Sequence, residues 1–157
     1  MQTFLPYPSY KESAQALDSV RLNKQRVECF QIYNAASFTR FRTDGSVIGP
    51  AKGWTSHPAV RMWRPYIHQF IIYSLAVCRE CTERGIKDVA GVEDFFWSRL
   101  SRHEDVYPSW YKSEKTLNAV CFSHRCNLVR KDMKHYGPKF PDVNVINALT
   151  VPYLWPE

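Results

Sequence analysis

No apolar run in this chain reaches the roughly 18 residues that a membrane-crossing helix needs. The longest, around Phe70 to Val77, is interrupted by Tyr73 and Ser74, so no membrane partner is expected. The opening octet MQTFLPYP is apolar but too short for a secretory leader, and Pro6 and Pro8 break it. It reads as an extended arm. An even cysteine set is also missing: the 5 cysteines, with no leader ahead of them, read as reduced thiols in a cytoplasmic setting. Cys78-x-x-Cys81 and Cys121-x4-Cys126, with His124 inside the second pair, have spacings that zinc sites use. At helical spacing Cys78 and Cys81 instead extend an apolar stripe, so neither a metal nor another cofactor is expected. There is no internal repeat, no low-complexity tract and no glycine-rich phosphate loop.

What is present fits one domain spanning residues 1–157, long enough to bury a core without staples and with no obligate protein partner implied. Hydrophobic residues make up 45% and aromatics 15%, which excludes a disordered chain. The 21 Lys and Arg against 15 Asp and Glu give a net charge of +6, a positive field that favours a polyanionic partner.

The periodicity predicts an all-α, compact helical bundle with long irregular loops and an extended C-terminal tail. Ser9 and Glu12 stand at capping-box spacing ahead of a short helix that ends near Asp18 or Ser19. A second helix, roughly Val20 to Ala36, has the apolar line Leu22, Cys29, Tyr33 and Ala36, with Arg26 inside that line, Gln25 at its edge, and Lys24 and Glu28 farther round. An arginine there either meets a carboxylate or anion or snorkels to water. Residues 37–56 read as an irregular or hairpin-containing loop, in which Arg40, Arg42 and Lys52 interleave with Phe38, Phe41 and Trp54. His57-Pro58 opens a long helix, bent at Pro65 and ended by Gly85. Val92 to Leu100 forms a short helix, and Ser113 caps the last long one.

That last helix turns polar along a core-facing stripe. Leu117, Val120 and Cys121 are followed on the same side by His124, Asn127, Lys131 and His135, until Gly137-Pro138 stops the pattern. In the long middle helix His57, Arg61, Arg64 and His68 precede Ile71, Leu75 and Cys78 on one side, unless the bend at Pro65 rotates Arg64 and His68 away from the first two. Polar groups on inward stripes point to a wet or ligand-filled cavity, or else to stripes whose ends leave the core. Antiparallel packing of these helices would gather His57, Arg61, His124, Asn127, Lys131 and Arg26 around one cavity.

The segments MQTFLPYPSY, LDSVRLNKQRVE, GWTSHPAVRMW, SHRCNLVRKDMKHYGPKFP and PYLWP, spread over nearly the whole chain, resemble small bacterial and phage proteins placed with the pyrimidine dimer DNA glycosylases. The resemblance implies a compact all-α fold that bends duplex DNA, flips a nucleotide and cuts the glycosidic bond of a pyrimidine lesion. In that family the nucleophile is the α-amine of a small residue exposed after Met removal, assisted by a glutamate on an early helix; Trp110-Tyr111-Lys112 also looks like the family's aromatic tail. Two departures stand out. Residue 2 is the bulky Gln2, which should keep Met1 in place, and in RLNKQRVE the nearby carboxylate is Glu28, off the inferred inner face.

The reading is therefore a base-excision enzyme on a damaged or modified, flipped pyrimidine in DNA. Its candidate catalytic groups are Asp18, Glu28, His57, His124 and Lys131, and no covalent intermediate is expected at the N-terminus. DNA contacts are expected from Arg21, Lys24, Gln25, Arg26, Trp54, Arg61, Trp63, Asn127, Arg130, His135 and Tyr136. The alternatives are a nucleic-acid-binding module without catalysis and an enzyme on free nucleotides or modified bases. An inward-facing carboxylate within reach of the cavity would favour an enzyme.

Overall fold

A computed structural model describes residues 1–101 and 106–156. The helices are α1 (Tyr10–Ala16), α2 (Ser19–Ala36), α3 (Pro58–Trp63), α4 (Ile67–Glu83), α5 (Ala90–Arg99), α6 (Ser109–Lys112), α7 (Glu114–Lys131), α8 (Met133–Tyr136) and α9 (Val145–Thr150). The fold is all-α apart from one antiparallel hairpin, β1 (Thr39–Phe41) with β2 (Val47–Pro50), inside the loop expected to hold one. No helix among the described residues is long and apolar enough to cross a membrane.

Local chemistry sets the boundaries. Ser9 Oγ accepts from Glu12 N to start α1, and Asp18 Oδ1 accepts from Val20 N and Arg21 N to start α2. The expected helix from His57 to Arg84 is divided at Pro65, which lacks an N–H and crowds the preceding turn, so a 3₁₀ turn over Arg64–Tyr66 joins α3 to α4. The last long helix likewise stops at Lys131, where Asp132 turns extended (φ −157°) and caps α8. His135 therefore does not continue the face of His124 and Asn127. Gly137 is right-handed (φ −54°), not the left-handed cap its position predicts. It is needed for closeness instead, because a Cβ there would lie 2.6 Å from Met133 O. The tail contains α9 as an unexpected turn of helix, capped by Asn144, before residues 151–156 run extended.

The core is one cluster, with the N-terminal arm buried in it between two groups of helices. α4 packs against α1, α2 and α5, while α7 packs against α6, α8 and α9. Trp63, Phe70, Tyr73 and Trp110 interlock at centroid distances of 5.4 to 5.6 Å where Trp63 meets each of the others. Thr3, Phe4 and Leu5 are buried. Phe4 N donates to Gln25 Oε1 (3.2 Å) and Tyr73 Oη (3.1 Å), Leu5 N donates to His124 Nδ1 (2.8 Å), and Trp63 Nε1 donates to Thr3 Oγ1 (3.0 Å). Residues 151–156 close the same seam: Tyr153 donates to Gln2 Oε1 at 3.1 Å, and the rings of Tyr153 and Trp155 lie 5.6 and 5.0 Å from His124.

Asp18 ties α2 to α8. Its Oδ2 accepts from Tyr136 Oη at 2.5 Å and from Arg21 Nη1 at 2.6 Å. Burial alone would raise this carboxyl, but the Tyr136 hydroxyl and the Arg21 guanidinium outweigh it and hold Asp18 well below the usual carboxylate range. A lowered folded value stabilises the fold above the unfolded pKa of about 3.9, and that stabilisation is lost as pH falls further. Asp18→Ala should therefore cost about 1–3 kcal/mol in urea unfolding at pH 7, with the gap to wild type narrowing below about pH 4. An unchanged midpoint at pH 7 would show that the cap and the Tyr136 bond are dispensable.

Candidate active site

Because the arm is held along its length, the amino group at residue 1 has a fixed address. Met1 N lies 3.8 Å from Glu28 Oε1. Glu28 is 6% exposed, and its Oε2 has no hydrogen-bond partner among the described residues. α2 brings this about by periodicity: Gln25, bonded to Gln2 O at 2.9 Å, and Glu28 are three positions apart and face the arm together. The inference that Glu28 lies off the inner face is thus overturned. Burial raises the Glu28 carboxyl, opposed by the charges of the Met1 amine and Lys24, by the backbone N–H of Gln2 and by the charge of Lys131.

Around this pair the charge is positive. Lys24 and Lys131 are exposed, and burial together with the charges of Arg21, Lys24 and Arg130 lowers the Lys131 ammonium, while Glu28 raises it. On the other side Met1 borders a pocket of about 280 Å³ with Gln31, Asn34, Arg40, Lys52 and Trp54. Trp54 is 64% exposed and sits in the left-handed region at φ 64°, a conformation uncommon for a bulky residue and frequent at functional sites. Its ring meets that of His57 edge-on at 5.6 Å. His57 Nδ1 accepts from Ala59 N at 3.1 Å, which assigns the proton of the neutral ring to Nε2. Burial lowers its pKa first and the Met1 amine lowers it further. A primary amine, an enclosed carboxylate, an imidazole and an exposed indole in a basic surround are groups of the kinds that can serve substitution at a sugar carbon.

Several sequence candidates are absorbed by the fold. Trp63 is fully buried in the aromatic core and is not a stacking surface for DNA. His124 and Asn127 do not share a cavity with His57: His124 is fully buried on the arm, and Asn127 Nδ2 donates to Ser123 O at 2.7 Å while its Oδ1 accepts from Arg130. Burial pushes His124 down to about 3, so it is a neutral acceptor rather than a catalytic base. Gln25 is spent on the arm, and Tyr136 and Asp18 on each other. Arg26 is half-buried and meets no carboxylate among the described residues; it donates to Asp88 O at 2.6 Å and to Asn23 Oδ1. Arg130 clasps Ala148 O and Val151 O at 2.8 and 2.6 Å. Arg61 and His135 are exposed. Arg21 pairs with Asp18, and Lys24 and Lys131 remain at the rim beside Glu28. Sequence reasoning missed Gln31 and Asn34, which follow Glu28 in two successive i+3 steps on a stripe that turns away from the Glu28 face toward the pocket.

All five cysteines are buried free thiols, and no cluster of three or more His, Cys, Asp or Glu suited to a metal occurs among the described residues. A family model described as pyrimidine dimer DNA glycosylase matches residues 1–94, the stretch that contains Met1, Glu28, Asn34, Trp54 and His57. No curated protein and no solved structure matches the chain significantly.

Proposed function

Since the chain belongs to the pyrimidine dimer DNA glycosylase family, we propose that it binds duplex DNA, extrudes a damaged or modified pyrimidine nucleotide and breaks its glycosidic bond at Met1 and Glu28. One observation carries this reading: an amino group 3.8 Å from a buried carboxylate that retains an unpartnered oxygen. A binding module has no use for such a group, because burying a carboxylate without full pairing is destabilising.

In the proposed step the neutral Met1 amine attacks C1′, and the bond from C1′ to the base nitrogen breaks with its electron pair leaving on the base. Glu28 takes the proton shed by the attacking nitrogen, and its charge faces the positive charge developing on the sugar. His57 donates from Nε2 to the departing base. A retained Met1 supplies a primary amine as well as a small residue would, so Gln2 does not close this route. Extrusion costs a few kcal/mol, offset by phosphate contacts from Lys24, Arg61 and Lys131 and by stacking on Trp54.

The test is to incubate the protein with duplexes carrying cyclobutane dimers, uracil, 5-hydroxymethyluracil or abasic sites, with and without borohydride. The expected result is base release with an adduct that maps to residue 1, in protein whose intact mass includes Met1. Release without an adduct would move the reaction to water activated by Glu28, and no release from any duplex would sink the enzyme reading. Lys131→Ala should flatten the log–log salt dependence of DNA binding by about 1, the increment of one phosphate contact. An unchanged slope would remove Lys131 from the DNA face.

A further inference from the structure

Base excision requires a pocket for the extruded base but does not fix which base it prefers. Asn34 supplies a reason for preference. Its Oδ1 accepts from Phe41 N at 3.2 Å, which fixes the orientation of the amide. Phe41 is itself anchored, with its ring 5.7 Å from that of Phe95 and the Arg99 guanidinium 4.6 Å from its centroid. The atom left over is Nδ2, which has no hydrogen-bond partner among the described residues, on a side chain that lines the pocket beside Met1. A locked amide therefore offers the pocket donors and no acceptor. At about 280 Å³ the pocket has room for a single heterocycle.

Pyrimidines differ at position 4. Thymine and uracil types present a carbonyl acceptor there, whereas cytosine types present an amino donor. We propose that Asn34 is the specificity-determining residue of this pocket: its Nδ2 donates to the 4-carbonyl of a single extruded pyrimidine, selecting 4-keto over 4-amino bases. The proposal rests on the reading that a flipped base enters beside Met1. A 4-amino base would set donor against donor, and such a mismatch is expected to weaken binding at least about tenfold.

Glu28→Gln protein, which removes the carboxylate and keeps its shape, allows binding to be read without turnover. Its affinity is measured for duplexes carrying one 5-hydroxymethyluracil or one 5-hydroxymethylcytosine, each opposite an abasic site so that neither base is paired. The expected preference is at least about tenfold for the uracil. Adding Asn34→Asp, which still accepts from Phe41 N but replaces the donors by oxygen, should cancel or invert it. Equal affinities in the parent protein, or a ratio unaffected by Asn34→Asp, would overturn the proposal. Excision by the wild-type protein is scored separately. A preference cancelled by Asn34→Asp without any excision removes the glycosylase reading and keeps this one, while excision with a ratio indifferent to residue 34 does the reverse.

Discussion

Glu28→Gln is expected to slow base excision by roughly 10²- to 10⁴-fold, the usual worth of a positioned proton acceptor, without unfolding the protein. Glutamine keeps the shape of the side chain and loses the ability to take a proton or to face a developing cation. The stability arm of the same experiment has a definite sign. Burial raises the Glu28 carboxyl above its unfolded value, so the folded chain favours the protonated form and loses stability as pH rises through the unfolded value of about 4.3. At pH 7 the wild-type protein bears that penalty and the variant does not. The melting temperature of Glu28→Gln should equal or exceed that of wild type, with the gap closing toward pH 4. Single-turnover excision at the wild-type rate would take Glu28 out of the reaction. A lower melting temperature would mean that the ion pair with Met1 outweighs the cost of burial.

His124→Ala should destabilise the fold more than Asp18→Ala does, by about 2–5 kcal/mol, because it empties a fully buried site and leaves the Leu5 N–H without its acceptor. It should also loosen the arm and so impair excision without touching substrate. The pH signature separates this role from catalysis. The folded value of His124 is lowered to about 3, so the unfolded chain takes up a proton that the fold refuses. Stability should therefore fall as pH drops below about 6.5, the ordinary histidine value. In urea titrations between pH 7 and 4, His124→Ala should lose this component of the slope relative to wild type. Parallel slopes would show that His124 is protonated in the fold and that the assigned acceptor role is wrong.

The helices are legible in the sequence because their signals are local: Ser9 with Glu12, Asp18 before α2, Ser113 before α7, and Gly85, which at φ 68° ends α4 as its position requires. The site is only half legible, and the reason lies in what the inward stripes meet. Polar residues on those stripes do face something polar. What His124, Gln25 and Tyr73 face is the chain's own backbone, since residues 2–5 run as an extended segment between two helical layers and need partners for their N–H groups. No periodicity within a helix announces a strand-like guest from elsewhere in the chain. The same long-range event hides Glu28, whose angle from the Leu22–Tyr33 line is peripheral until the arm encloses it. Trp63 escapes a periodic reading for a related reason: the 3₁₀ turn at Pro65 shifts the register, and an indole that reads as surface becomes the centre of the aromatic core.

The arm is synthesised well ahead of the last of the groups that hold it. Tyr153, which bonds Gln2, comes 151 residues later. At roughly 5–20 residues per second the ribosome takes about 8 to 30 s to cover that distance. Until then the arm lacks its full set of partners, and the residue 1 amine is less protected from the peptidases and acetylating enzymes that work at emerging chains than it is in the finished fold. Once the arm docks, the same amine lies against Glu28. An acetyl group or a fused peptide acquired in the early interval would persist as an amide, with no lone pair to attack a sugar. Protein prepared for the trapping experiment should therefore carry any purification tag away from residue 1.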